Sequence, residues 1–170
     1  DDVTTAPDGR RFTLPAGHAE ALLDPDTLAT VAPMIHAVAA AGLKLPAIAA
    51  AYRTGDGVEW PAYPGLIEAQ ELANRPVFRH LLTQEWLPAL PDVAGLLVRD
   101  GAAALDLGCG VGWSSLALAR AHPGLLVRGI DTDHASVMDA RVNAAEAGLE
   151  DRVRFEVAAA DGDLGESDYD

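Results

Sequence analysis

The chain has 170 residues, 49% of them hydrophobic and 22% charged, which suits one folded domain or two small ones and excludes a disordered, collagen-like or mucin-like sequence. Twelve Lys and Arg against 26 Asp and Glu give a formal charge of −14, a field that repels nucleic-acid phosphates. The acidity is spread, with 6 basic and 12 acidic residues up to Gly95 and 6 and 14 beyond it.

One cysteine excludes a disulfide framework and cannot by itself build a zinc site. No apolar run reaches the ~18 residues of a membrane span. The richest stretch, Val31 to Ala51, contains Pro33, His36, Lys44 and Pro46 and reads as helices. Position 1 is Asp, nothing resembling a signal peptide is present, and the chain stops at Asp170 after a loop, so both ends look cut. A cytoplasmic location is expected.

In chain order, Asp8-Gly9 is a turn signal and Arg10–Leu14 a short alternating strand ended by Pro15. From Ala16 to about Ala51 the pattern is helical, with Asp24-Pro25-Asp26 as a start signal for a second helix and Gly42 as its stop. Residues 52–65 read as a loop, turned by Gly55-Asp56-Gly57 and held extended by Pro61 and Pro64. Helices are expected over roughly 65–74 and 76–87, divided at Pro76, then a linker at Pro88 and Pro91. The remainder alternates: strand 102–107, helix 114–121, strand 125–130, helix 134–147 closed by Gly148, strand 153–158. Apolar strands alternating with helices predict an α/β fold whose parallel sheet is covered on both faces.

The chemistry concentrates in Leu105-Asp106-Leu107-Gly108-Cys109-Gly110-Val111-Gly112-Trp113. Glycines after a buried strand admit positive φ and close approach of a ligand, although a tight strand-to-helix turn needs them equally. Spacing discriminates among ligands. A P-loop requires Gly-x-x-x-x-Gly-Lys-Ser/Thr, and no lysine follows here. A dinucleotide fingerprint requires glycine at the sixth position, where Trp113 stands, which disfavours a nucleotide-dependent oxidoreductase. What remains is Gly-x-Gly-x-Gly preceded by an acid.

Over Ala104–Ala119 the chain resembles the class I S-adenosylmethionine-dependent methyltransferases, whose first motif is hydrophobic–Asp–hydrophobic–Gly-x-Gly-x-Gly. The next strand ends Gly129-Ile130-Asp131, 25 residues beyond Asp106. The resemblance implies that Asp131 accepts both ribose hydroxyls, a task suited to a carboxylate. An ordinary strand-end or cap role, with Thr132-Asp133 before the next helix, is the alternative. It further implies that Asp161, in Ala159-Ala160-Asp161-Gly162, accepts from the adenine amino group; a plain polar turn is the alternative. Asp106 either faces the methionine amino group or orders the glycine loop. Cys109 reads as small packing, since no base can be placed beside it. The expected cofactor-binding set is Asp106, Gly108, Cys109, Gly110, Gly112, Asp131, Thr132, Asp161 and Gly162, with no metal. Asp168-Tyr169-Asp170 resembles the start of the family's fourth strand, so the chain represents a seven-stranded sheet by its first three strands.

Arg10–Leu23 resembles the wing strand and following helix of a winged-helix domain, as in a bacterial methyltransferase group with such an N-terminus. The resemblance divides the chain into a winged-helix remnant (1–24), a helical connecting or lid segment (25–95) and half of a cofactor-binding domain (96–170). It implies methyl transfer to a small-molecule acceptor and a homodimer through the N-terminal helices. Neither nucleic acid nor membrane is an expected partner. The competing reading is a non-enzymatic winged-helix transcriptional regulator with a ligand-sensing Rossmann-like half, favoured only by Arg10 and Arg11. His18, His36, His80, His122 and His134 form no recognisable constellation, and no catalytic base is assigned. Tyr63 and Trp86 could border an acceptor cavity, with core packing the simpler role for Trp86.

Overall fold

A computed structural model describes residues 2–7, 9–59, 63–161 and 169–170. The chain forms two compact units, residues 1–76 and 77–170.

The first unit opens with an antiparallel hairpin of β1 (Asp2–Ala6) and β2 (Gly9–Thr13), in register from Asp2 opposite Thr13 to Ala6 opposite Gly9. Asp8 lies outside the described residues. Helices α1 (Ala16–Leu23), α2 (Ala32–Leu43), α3 (Leu45–Thr54) and α4 (Pro64–Val77) follow. The Asp24-Pro25-Asp26 signal does not start a helix. Asp24 Oδ1 instead accepts the Asp26 N–H at 2.9 Å, an Asx turn, and Arg75 on α4 holds Asp26 by an ion pair of 2.7 Å. Helix α2 starts only at Ala32, where Pro33 occupies the first turn without losing an N–H bond. Gly42 does not stop α2. The break comes at Lys44, and Pro46 in the first turn of α3 restarts the helix. Gly55, at φ 80°, ends α3 as a left-handed cap.

Pro76 does not divide two helices. It sits inside α4, and the chain continues as a π-helix over Phe78–Trp86, whose end is closed by a wide turn from the Leu87 N–H to the Leu82 carbonyl (3.0 Å). Trp86 is half-exposed and not a core residue. The expected linker at Pro88 and Pro91 contains α5 (Pro91–Leu97), because Pro91 falls in the first turn, where proline favours a helix.

The second unit holds the sheet. Strands β3 (Ala103–Leu107), β4 (Leu126–Asp131) and β5 (Val153–Val157) lie parallel in the order β3-β4-β5. The register places Asp106 opposite Gly129 and Asp131 opposite Val157. Helices α6 (Trp113–Ala121) and α7 (His134–Glu146) connect them. Leu116, Leu125, Ile130 and Val137 are fully buried, with Val127, Val153 and Phe155 beside them. The fold is therefore α/β, as the strand–helix alternation predicts. Coverage of both faces does not extend to β5, where Val153 and Phe155 are buried but Arg154 is exposed, a one-sided alternation. The π-helix packs on α6 within the second unit.

The Asp170 N–H donates to the Ala103 carbonyl (2.9 Å), and its carboxylate accepts the Ala103 N–H (3.2 Å) and pairs with Arg99 (2.9 Å). Asp170 thus pairs with the first residue of β3. Asp168 is outside the described residues. Among the described residues no single helix is long and apolar enough to cross a membrane; α2 and α3 pass such a test only as a pair bent by 64°.

Candidate functional site

In a parallel α/β sheet the carboxyl ends of the strands are where loops and helix N-termini converge on a ligand. Here those ends carry Asp106 and Leu107, Asp131, and, four residues beyond β5, Asp161.

Gly108, Gly110 and Gly112 all have left-handed φ, at 72°, 51° and 85°, a conformation that side chains other than glycine's resist. Their surroundings differ. A Cβ at Gly108 or Gly110 would enter open space, whereas one at Gly112 would run into the Phe155 ring. Gly129 is constrained in the same way: its Cβ would lie 2.5 Å from the Phe155 ring and 3.0 Å from Cys109 Cβ. Gly108 and Gly110 therefore form an open shelf, and Gly112 and Gly129 let β5 pack beneath it.

The loop spends its own hydrogen-bond donors internally. Gly108 and Cys109 N–H both donate to the Ile130 carbonyl (2.8 and 3.0 Å), Gly112 N–H to the Cys109 carbonyl (2.9 Å), and Gly110 N–H to Asp131 Oδ2 (2.9 Å). A phosphate-binding loop does the opposite, presenting its N–H groups outward. Asp131 Oδ1 accepts the Asp133 N–H at 2.9 Å, so this carboxylate straps the glycine loop to the end of β4. The cap of α7 is Asp133, which accepts the Ser136 N–H (2.9 Å) and hydroxyl (2.6 Å). Those bonds hold Asp133 below the ordinary carboxylate range. Neither Asp131 nor the exposed Thr132 is the cap.

Asp106 Oδ2 accepts both the Ser114 and Ser115 hydroxyls, at 2.5 and 2.6 Å, tying the end of β3 to the first turn of α6. Ser115 is fully buried. The loop-ordering role of Asp106 is thus present in the geometry, and its Oδ1 retains capacity for another donor. Cys109 is buried, and burial, followed by the charges of Asp106 and Asp131, pushes its thiol up to about 12. Such a thiol stays protonated, in keeping with packing and not nucleophilic attack.

The geometry brings Asp106, the glycine loop, Cys109 and Asp131 together. Asp161 is exposed, with no hydrogen-bond partner among the described residues, and Gly162 lies outside them. His18 and His36 lie on α1 and α2, His80 in the π-helix, His122 at the end of α6 and His134 at the start of α7. Sequence reasoning missed Ser114, Ser115, Asn143 and Phe155. Asn143 Nδ2 donates to the Val111 carbonyl at 3.0 Å, and Arg141 holds the Phe155 carbonyl with two nitrogens at 2.9 and 2.7 Å. The serines carry a local signal, hydroxyls at the start of a helix after an acid-ended strand. Asn143 and Phe155 act over long sequence separations and carry none.

A parallel sheet with a glycine loop after its first strand and an acid at the neighbouring strand end defines a Rossmann-like α/β fold. Residues 99–170 match the family model for a methyltransferase domain. A Nostoc punctiforme PCC 73102 protein assigned as an O-methyltransferase aligns over 99% of this chain and 49% of its own, at TM-score 0.63 and 21% identity, a likeness of fold. A SAM-dependent methyltransferase from Geobacter sulfurreducens, crystallised with S-adenosyl-L-homocysteine, is 35% identical over 49% of this chain and 32% of its own, at TM-score 0.40. A SAM-dependent methyltransferase from Thiobacillus denitrificans, with the same ligand, is 32% identical over 51% and 34%, at TM-score 0.42. The chain spans between a third and a half of the length of these structures. No curated protein matches it.

Proposed function

We propose that the protein is an S-adenosylmethionine-dependent methyltransferase acting on a small-molecule acceptor. One observation carries this reading: a glycine shelf whose N–H groups at Gly108, Cys109, Gly110 and Gly112 are bonded within the protein, beside the carboxylates of Asp106 and Asp131. Such a site offers acceptors and negative charge. It suits a ligand with hydroxyls, an ammonium and a sulfonium, and it is a poor host for a diphosphate. The methyltransferase-domain match over residues 99–170 supports the same reading.

The residues fit the cofactor as follows. Asp131 would take the ribose diol on lone pairs not used by Gly110 and Asp133, and the open side of Gly108 and Gly110 would receive the methionine portion. Asp106, anchored by two serines, would face the ammonium through Oδ1. Asp161 would accept from the adenine amino group, with Thr132 and Gly162 beside these positions, and Cys109 would fill space beneath the loop. When bound, the cofactor supplies an electrophilic methyl group. The chain's own part is to hold acceptor and methyl in line and to exclude water.

The exposed apolar residues of α2, among them Met34, Ile35, Val38 and Leu43, support a homodimer through the N-terminal helices. The acidic charge of −14 supports a small acceptor over nucleic acid. A cytoplasmic location completes the proposal and suits a lone protonated cysteine. The test is incubation with methyl-labelled S-adenosylmethionine and a panel of hydroxyl, amine and thiol compounds. Label in a small product supports the reading. Salt-sensitive binding of specific duplex DNA at physiological salt, with no label transferred, would overturn it.

A further inference from the structure

The glycine shelf is pinned at the Ile130 carbonyl and at Asp131, both on β4. It has a third attachment from a different element: Asn143, in the last turns of α7, donates from Nδ2 to the Val111 carbonyl at 3.0 Å. Val111 stands between Gly110 and Gly112, both in left-handed conformation. Its side chain is buried, while a Cβ added to the adjacent Gly110 would meet open space. Asn143 therefore holds the shelf through its carbonyl side, at a residue flanked by the two glycines.

We infer that Asn143 is a positioning residue for the cofactor: it sets the shelf's shape without forming part of the cofactor-binding face. The physical reason is entropic. Three glycines in five residues give the loop more backbone freedom than a loop of other residues would have, and a ligand that must order it loses affinity. Two β4 anchors fix Gly108 to Gly110. The Asn143 bond fixes the next peptide, before Gly112 turns the chain into α6, so the shelf is ordered before the ligand arrives. An amide suits this site because it donates to the Val111 carbonyl without carrying a charge. The inference rests on the proposed cofactor reading.

The test uses S-adenosyl-L-homocysteine titrated into the unmodified protein, Asn143→Ala and Asn143→Asp, with melting temperatures measured in parallel. Asn143→Asp keeps the shape but turns a donor into an acceptor facing a carbonyl oxygen. Both variants should bind roughly 2- to 12-fold more weakly, as expected for one lost intramolecular hydrogen bond. Amide exchange at Gly110 and Gly112 should quicken in the free variants and fall back when ligand is added at saturation. A purely structural Asn143 would lower the melting temperature and leave affinity and those amides unchanged, which would overturn the inference. In the unmodified protein, the Gly110 and Gly112 amides should already be protected from exchange before ligand is added; exchange as fast as in an unstructured peptide also overturns it, whether or not the variants fold. Failure of the unmodified protein to bind this ligand would instead remove the cofactor reading itself.

Discussion

Replacing Asp131 separates its two tasks. Its carboxylate already accepts one backbone N–H on each oxygen, Gly110 on Oδ2 and Asp133 on Oδ1, both at 2.9 Å. Each oxygen keeps a lone pair for one ribose hydroxyl. Asp131→Ala removes the proposed hydroxyl contacts together with the strap on the glycine shelf. Charge-assisted hydrogen bonds contribute about 1.5–3 kcal/mol, and the half-exposed setting favours the lower part of that range. Cofactor affinity should therefore fall roughly 10- to 40-fold. Asp131→Asn retains one acceptor oxygen but turns an NH2 group toward a backbone N–H. It should lose part of the affinity and also about 1–2 kcal/mol of stability. Asp133 is the internal control. As the α7 cap, its change to Ala should cost about 0.5–2 kcal/mol of stability and its change to Asn very little, with cofactor affinity nearly unchanged in both. Calorimetric titration with S-adenosyl-L-homocysteine alongside urea denaturation reads both quantities. Unaltered affinity in Asp131→Ala would refute the ribose assignment, and an affinity loss equal in the Asp133 variants would show that the region merely unfolds.

Other expectations follow from the same geometry. Asp133 is held below the ordinary carboxylate value by the Ser136 hydroxyl and then by its N–H, so its contribution to stability is present above about pH 4 and is lost as pH falls through the lowered native value. Melting temperatures from pH 7 down to pH 2.5 should accordingly decline more shallowly in Asp133→Ala; parallel curves would reject this. Cys109, pushed up to about 12, should resist iodoacetamide at pH 8 until denaturant is added, and rapid labelling of the native protein by mass spectrometry would contradict its burial. Gly129→Ala should destabilise by about 1–3 kcal/mol, because its Cβ meets both the Phe155 ring and Cys109 inside the core. Restoration of stability by a second change, Phe155→Leu, would confirm that clash, and a neutral Gly129→Ala would dismiss it.

The parts of the site legible in the sequence are those written locally. Asp106 and the three glycines lie within seven residues, and Asp131 announces itself by ending the next apolar strand. The alternating apolar pattern likewise yields β3, α6, β4, α7 and β5 within a residue or two of their observed ends. Proline misleads where position matters more than presence. Pro91 opens a helix, because a missing N–H costs nothing in a first turn, and Pro76 lies within α4 without ending it. Asp24-Pro25-Asp26 carries the residue types of a helix start, yet it closes as an Asx turn whose Asp26 is held by the long-range partner Arg75. Asn143 and Phe155 stayed hidden for the same reason. Their roles arise when α7 and β5 fold beneath a loop more than 30 residues earlier in the chain, a relation that no local pattern records.

The glycine shelf is proposed to receive a sulfonium cofactor and not a phosphate-bearing one. Titrating the protein by calorimetry with S-adenosylmethionine, S-adenosyl-L-homocysteine, NAD and ATP at physiological salt tests it most directly. The spent N–H groups of Gly108, Cys109, Gly110 and Gly112, beside Asp106 and Asp131, predict saturable binding of the first two and none of the last two. Tight binding of NAD or ATP, with no heat from either methionine derivative, would contradict it.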